Sequence, residues 1–102
     1  MRAVRPIFTA RALLEERRYA EAALHAQRAI AIAEQGAIDP HSSAWVGEAL
    51  ILRAHAEVPT SRGAAAATAR QALPHLTSNL DPSSPLIAEA RALSNGDGAP
   101  GP

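Results

Sequence analysis

Between Tyr19 and Gln35 the apolar positions Tyr19, Ala22, Ala23, Ala26, Ala29, Ile30 and Ala33 follow one another in steps of three and one. That spacing keeps them on one side of a 3.6-residue helix, with Glu21, His25, Arg28 and Gln35 on the opposite stripe. The segment contains no Gly or Pro and is rich in Ala, the residue that loses least on entering a helix. Gly36 stands where a left-handed cap would end it, and Pro40 blocks continuation in the same direction. Because the apolar stripe is mostly methyl groups, neighbouring helices must approach it closely, and from more than one side.

The same pattern extends along the chain. Pro6 suits a first helical position, and Ile7 to Glu16 follows as a short helix with Phe8, Leu13 and Leu14 apolar. Arg17-Arg18 turns into the long helix. Ser42 or Ser43 is a suitable N-cap for Ala44 to Glu57, a segment apolar on nearly its whole circumference. Such a helix is sandwiched, which places this one at the centre of the fold. Val58-Pro59 ends it, and Thr60 or Ser61 caps a helix from Arg62 to about Thr77. Pro74 lies inside that helix; it has no N–H and its ring meets the Arg70 carbonyl, a penalty of ~3 kcal/mol, so a kink or an irregular last turn is expected. Ser83 or Ser84 caps a fifth helix with Pro85 in its first turn, running to Leu93. The prediction is an all-α fold of five helices, consecutive helices antiparallel, with no strand.

The chain also repeats itself. At an offset of 43, Ala22, Ala23 and Ala26 fall on Ala65, Ala66 and Ala69, and Ala29-Ile30 falls on Ala72-Leu73. At 42, Ile38-Asp39-Pro40 falls on Leu80-Asp81-Pro82, and His41–Leu50 is followed at the same spacing by Ser83–Ala92. A period in this range marks stacked helical hairpins. Three features then resemble tetratricopeptide repeats, the long kinesin-light-chain variety in particular: the turn Arg18-Tyr19-Ala20-Glu21-Ala22, the helix end Arg28-Ala29-Ile30-Ala31-Ile32, and the loop Asp39-Pro40-His41. The resemblance covers roughly residues 10 to 93. The second copy departs from it at Arg62-Gly63, at Val58-Pro59-Thr60-Ser61 and at Pro74. What the resemblance implies is a short α-solenoid, with repeat units 7–41 and 42–83 and a closing helix 84–94. Residues 1–5 are expected to be flexible, and the Gly/Pro tail at 95–102 disordered, since it has nothing to pack.

Composition narrows the function. At 102 residues the chain is one small domain that buries roughly two-thirds of its unfolded surface. Its net charge is zero but uneven, with five Arg and two Glu in residues 1–18 against five Arg and eight acids in the remainder. All ten basic residues are Arg and 25 residues are Ala, usage that follows GC-rich codons and suggests a bacterial source. No Cys is present, so neither a disulfide framework nor thiolate chemistry is available. No run of about 18 apolar residues exists to span a membrane. The Arg-rich start invites a transit-peptide reading, but Glu15, Glu16 and the helical continuity of Ala10–Glu16 oppose it, leaving the cytoplasm as the default location.

Candidate chemistry is sparse. Asp39, His41, Ser42 and Ser43 bring together the residue types of a catalytic triad, but neighbours on one short loop seldom converge, and turn-making and capping account for all four. Glu21 and His25 are four apart on one face, yet no second His pair, Cys or His-Glu-x-x-His motif completes a metal site. The Arg residues at 2, 5, 11, 17 and 18 are interleaved with Glu and short of aromatic partners, a poor nucleic-acid surface. No Gly-rich phosphate loop exists, and no cofactor is expected. Trp45 is a candidate binding anchor or a core residue, and its place at the start of an apolar helix favours the core. The expectation is a non-enzymatic module that binds a peptide or partner protein on its concave face. The other reading is an end piece of a longer array, or a subunit that pairs with copies of itself. In such arrays the first helix of each hairpin lines the groove, which nominates Glu48, Leu52 and His55 on Ala44–Glu57, flanked by Arg11.

Overall fold

A computed structural model describes residues 4–39 and 41–95. Five helices account for most of them: α1 (Val4–Glu15), α2 (Tyr19–Gly36), α3 (Ala44–Glu57), α4 (Arg62–Thr77) and α5 (Pro85–Ser94), with no strand among the described residues. The tail beyond Asn95, the first three residues and Pro40 lie outside the described residues, so the expectations for them stay untouched. α1 starts at Val4, two residues ahead of Pro6.

Each helix begins and ends for a local reason. Where two hydroxyl residues competed for a cap, the second holds it: Ser43 Oγ accepts from Val46 N–H, Ser61 Oγ from Ala64 N–H and Ser84 Oγ from Leu86 N–H. α2 has no side-chain cap, but Glu21 sits in its first turn near the positive end of the dipole. Arg18 grips Glu21 with two bonds, Nε to Oε1 at 2.8 Å and Nη2 to Oε2 at 2.6 Å. Gly36 does not act as a left-handed cap. It continues the helix, and Ala37 leaves in an extended conformation at φ −79°, ψ 141°. The left-handed residue is Arg17, at φ 60°. There Arg18 N–H bonds to Leu13 O and Arg17 N–H to Leu14 O, which closes the end of α1 in a Schellman turn.

The helices fold back on one another across connections of three to seven residues, each packing on the one before. α3 and α4 are antiparallel, since Ser43 meets His75 at one end and Glu57 meets Thr68 at the other. α3 touches all four other helices, the sandwiched position its apolar circumference predicted. Ala22, Ala26 and Ala29 of α2 and Ala49, Ala54, Ala69, Ala72 and Ala90 elsewhere are fully covered, so alanine methyls set the interhelical spacing. Larger side chains (Ile51, Leu52, Leu76, Ile87 and Val46) fill what remains. Among the described residues no buried side-chain polar atom lacks a partner. Thr68, for instance, donates to Glu57 at 2.6 Å.

α3 comes so near α4 that a methyl on Gly47 would stand 2.7 Å from Leu76 Cδ2 and 3.1 Å from His75 Cβ. The crossing is fixed further by Ser43 N–H, which donates to His75 Nδ1 at 3.1 Å. α4 runs past Pro74 to Thr77; its end is held by Thr77 Oγ1 on Leu73 O and Asn79 Nδ2 on His75 O. The internal duplication is visible in the loops. Asp39 Oδ1 accepts from His41 N–H and Asp81 Oδ1 from Ser83 N–H, both at 2.9 Å, while Ser42 and Ser84 N–H return to the Asp carbonyls. The two turns share these two hydrogen bonds, 42 residues apart. The helices behind them are offset by 41 instead, because the caps are Ser43 and Ser84. At 41 Val46 matches Ile87, Ala49 matches Ala90 and Leu52 matches Leu93, all buried. At 42 Val46 would match the exposed Ala88.

Candidate functional site

α1, α3 and α5 lie side by side, with α1 and α5 each against α3, whereas α2 and α4 make no contact with each other. On the face made by these three helices two ion pairs bridge neighbours. Arg11 Nη2 of α1 donates to Glu48 Oε2 of α3 at 3.1 Å, and His55 Nε2 of α3 meets Glu89 Oε1 of α5 at 2.5 Å. Glu48 and Glu89 are equivalent positions, each five residues past its cap serine. Each therefore takes its partner from the helix before it in the row. The bond from His55 holds the Glu89 carboxyl below its ordinary 4.5, opposed by partial burial and assisted by the charges of His55 and Arg11.

A cleft of about 380 Å³ opens beside these pairs, lined by Arg11, Leu14 and Glu15 of α1, Tyr19 of α2, His55 of α3, Val58 and Pro59 beyond it, and Glu89 of α5. It sits where the end of α3 and the α1–α2 turn leave the row of helices unfilled. The volume is within the range that holds a side chain or short peptide segment. Its walls alternate charge with apolar surface. Among the described residues no group of three or more His, Asp or Glu could hold a metal ion.

Of the residues nominated from sequence, Arg11, Glu48 and His55 share this surface. Leu52 does not. It has no exposed area and belongs to the core, on a helix that packs against all four others. Trp45 reverses the expectation in the other direction, being 48% exposed. Its neighbour Val46 takes the inward position. The Asp39–Ser43 segment makes the loop turn and the α3 cap, with Asp39 bonded to His41 N–H and Ser43 to Val46 N–H. Glu21 is committed to Arg18. Leu14, Glu15, Tyr19, Val58, Pro59 and Glu89 were missed as site residues. Glu89 alone left a signal, its position matching Glu48 once the cap serines are aligned.

The fold is thus all-α, five packed helices carrying a partly polar cleft on one face. Compared with known protein families, with curated proteins and with solved structures, the chain matches none of them. None of its described helices is long and apolar enough to cross a membrane.

Proposed function

We propose that this chain is a non-enzymatic protein–protein interaction module of tetratricopeptide type, binding a peptide or partner domain on the face formed by α1, α3 and α5. The observation that carries this reading is the arrangement of the row: α1 and α5 flank α3 while α2 and α4 stand apart. First helices of successive hairpins that lie closer together than the second helices produce a concave surface in a solenoid. The duplicated Asp-Pro turn and the equivalent Glu48 and Glu89 support a repeat origin. The test is affinity capture with Arg11→Glu and His55→Glu, each first shown to keep its helical content. A partner retained by the original chain and lost by both variants places binding on this face. Retention by both moves the site elsewhere.

One feature favours a second reading, an end piece of a longer array or a self-associating subunit. Phe8 of α1 is 66% exposed. A large apolar side chain there would be covered if a further helix packed outside α1, as α1 packs outside α3. Mass by light scattering separates the two: a monomer at all concentrations removes self-association, and a dimer that Phe8→Ser dissolves supports it.

A further inference from the structure

Resting on the interaction-module reading, we propose that the cleft beside the Arg11–Glu48 and His55–Glu89 pairs accepts the cationic side chain of a Lys- or Arg-bearing peptide segment of a partner. Its charge balance points that way. The Arg11 guanidinium is paired with Glu48, a carboxylate outside the lining, so Arg11 is not free for a guest. Counted with histidine neutral, the lining sets Arg11 against Glu15 and Glu89, one carboxylate in excess. The bond from His55 uses Oε1 of Glu89, and the second oxygen carries the same delocalised charge. Glu89 also stays ionised to lower pH than an ordinary glutamate, since its charged form is the one His55 stabilises.

The uncharged walls fit the same guest. Tyr19 supplies an aromatic face, to which an ammonium or guanidinium is drawn by the ring quadrupole. Leu14, Val58 and Pro59 offer apolar surface for the methylene stem that a long basic side chain carries behind its charge. An acidic guest would meet Glu15 and Glu89, while Arg11 is already paired with Glu48 and His55 with Glu89.

The experiment titrates the full chain, isotope-labelled, with an end-capped apolar pentapeptide bearing arginine at its centre, and with versions carrying glutamine or glutamate there. Backbone amide shifts at Leu14, Tyr19 and Val58 report the cleft. The arginine peptide should bind with a clear preference over the glutamine peptide, and the glutamate peptide should be weakest. Glu15→Gln should weaken the arginine peptide by roughly fivefold, the size of one exposed ion pair, and leave the glutamine peptide unchanged. Glu15 is exposed at the end of α1, so this variant tests charge without loosening the core; Glu89→Gln, which also releases His55, is the second arm. Equal binding of all three peptides, binding of none, or indifference to Glu15→Gln overturns the proposal. A preference for the glutamate peptide at the same amides also overturns it, while leaving the interaction-module reading in place.

Discussion

Gly47 is the tightest of the described glycines. A helix interior ordinarily favours alanine over glycine by about 1 kcal/mol. Here a Cβ would sit 2.7 Å from Leu76, a side chain with no exposed area into which it could retreat. Overpacking of this kind costs about 1–3 kcal/mol. Gly47→Ala should therefore lower the urea midpoint, and a rise would mean that α4 can shift away freely. Arg17 is the opposite case. It holds φ 60°, a conformation that costs an L-residue roughly 1–2 kcal/mol and glycine nothing. The residue is exposed, so little is lost with its side chain. Arg17→Gly should stabilise the fold by about 1 kcal/mol once glycine's larger unfolded-state entropy is deducted. Unchanged or lower thermal stability would show that the Arg17 side chain contributes more than its exposure suggests.

At the scale of elements, α2 and α4 show how little side-chain bulk this fold uses. Their inward faces are alanines, and close approach replaces large side chains as the source of buried area. Ala26, fully covered in the middle of α2, should not tolerate enlargement; Ala26→Leu is expected to cost about 1–3 kcal/mol in thermal or urea unfolding. Pro74 is the one position where α4 works against itself. The helix continues three residues beyond it, its ring is exposed, and it offers no N–H to the Arg70 carbonyl. Pro74→Ala should raise stability by about 1–3 kcal/mol, between the net worth of one hydrogen bond and the full interior penalty. A neutral result would mean that the bonds of Thr77 and Asn79 to Leu73 and His75 already offset the gap.

For the whole molecule, stability should depend on pH through His75 before any carboxylate. Burial lowers its pKa below 6.5, with Glu34 and Asp39 pulling it up and His41 pushing it down. Its Nδ1 must stay unprotonated to accept the Ser43 N–H that pins α3 on α4. Below 6.5 the unfolded chain binds a proton that the folded chain resists. The contribution is thus complete above 6.5 and is lost as pH falls through that value to the folded-state pKa. Glu89 behaves likewise at lower pH: its share is complete above 4.5 and lost as pH falls through its depressed folded value. Urea unfolding between pH 8 and 4 should show a first decline beginning near 6.5. His75→Asn, which keeps an acceptor without a titrating ring, should remove that decline and leave the one from Glu89. A first decline that survives in His75→Asn would assign it to another group.

The five helices were legible because their causes are local. Ser caps, apolar periodicity, Pro85 at a helix start and the repeated Asp-Pro turn all act within a few residues, so Ala44–Glu57 and Arg62–Thr77 could be bounded to the residue. The central place of α3 followed from its lack of a polar side. The choice between adjacent residues required the packed chain. Trp45 and Val46 are neighbours, one turned outward and the other inward, because the direction of the whole helix is fixed by four partners at once. Leu52 lies between Glu48 and His55 in spacing, yet it is fully buried in the core while those two pair with neighbouring helices. Gly36 had the composition of a left-handed cap and Arg17 did not, but the path of the chain between packed helices put the positive φ at Arg17. The cleft came from the same source. Arg11, Tyr19, His55 and Glu89 sit on four different helices, and no short-range pattern relates them. Sequence determined which segments are helical, since that depends on neighbours along the chain. Tertiary structure alone decided which side chains meet across helices, since that depends on how alanine-lined faces seat against one another.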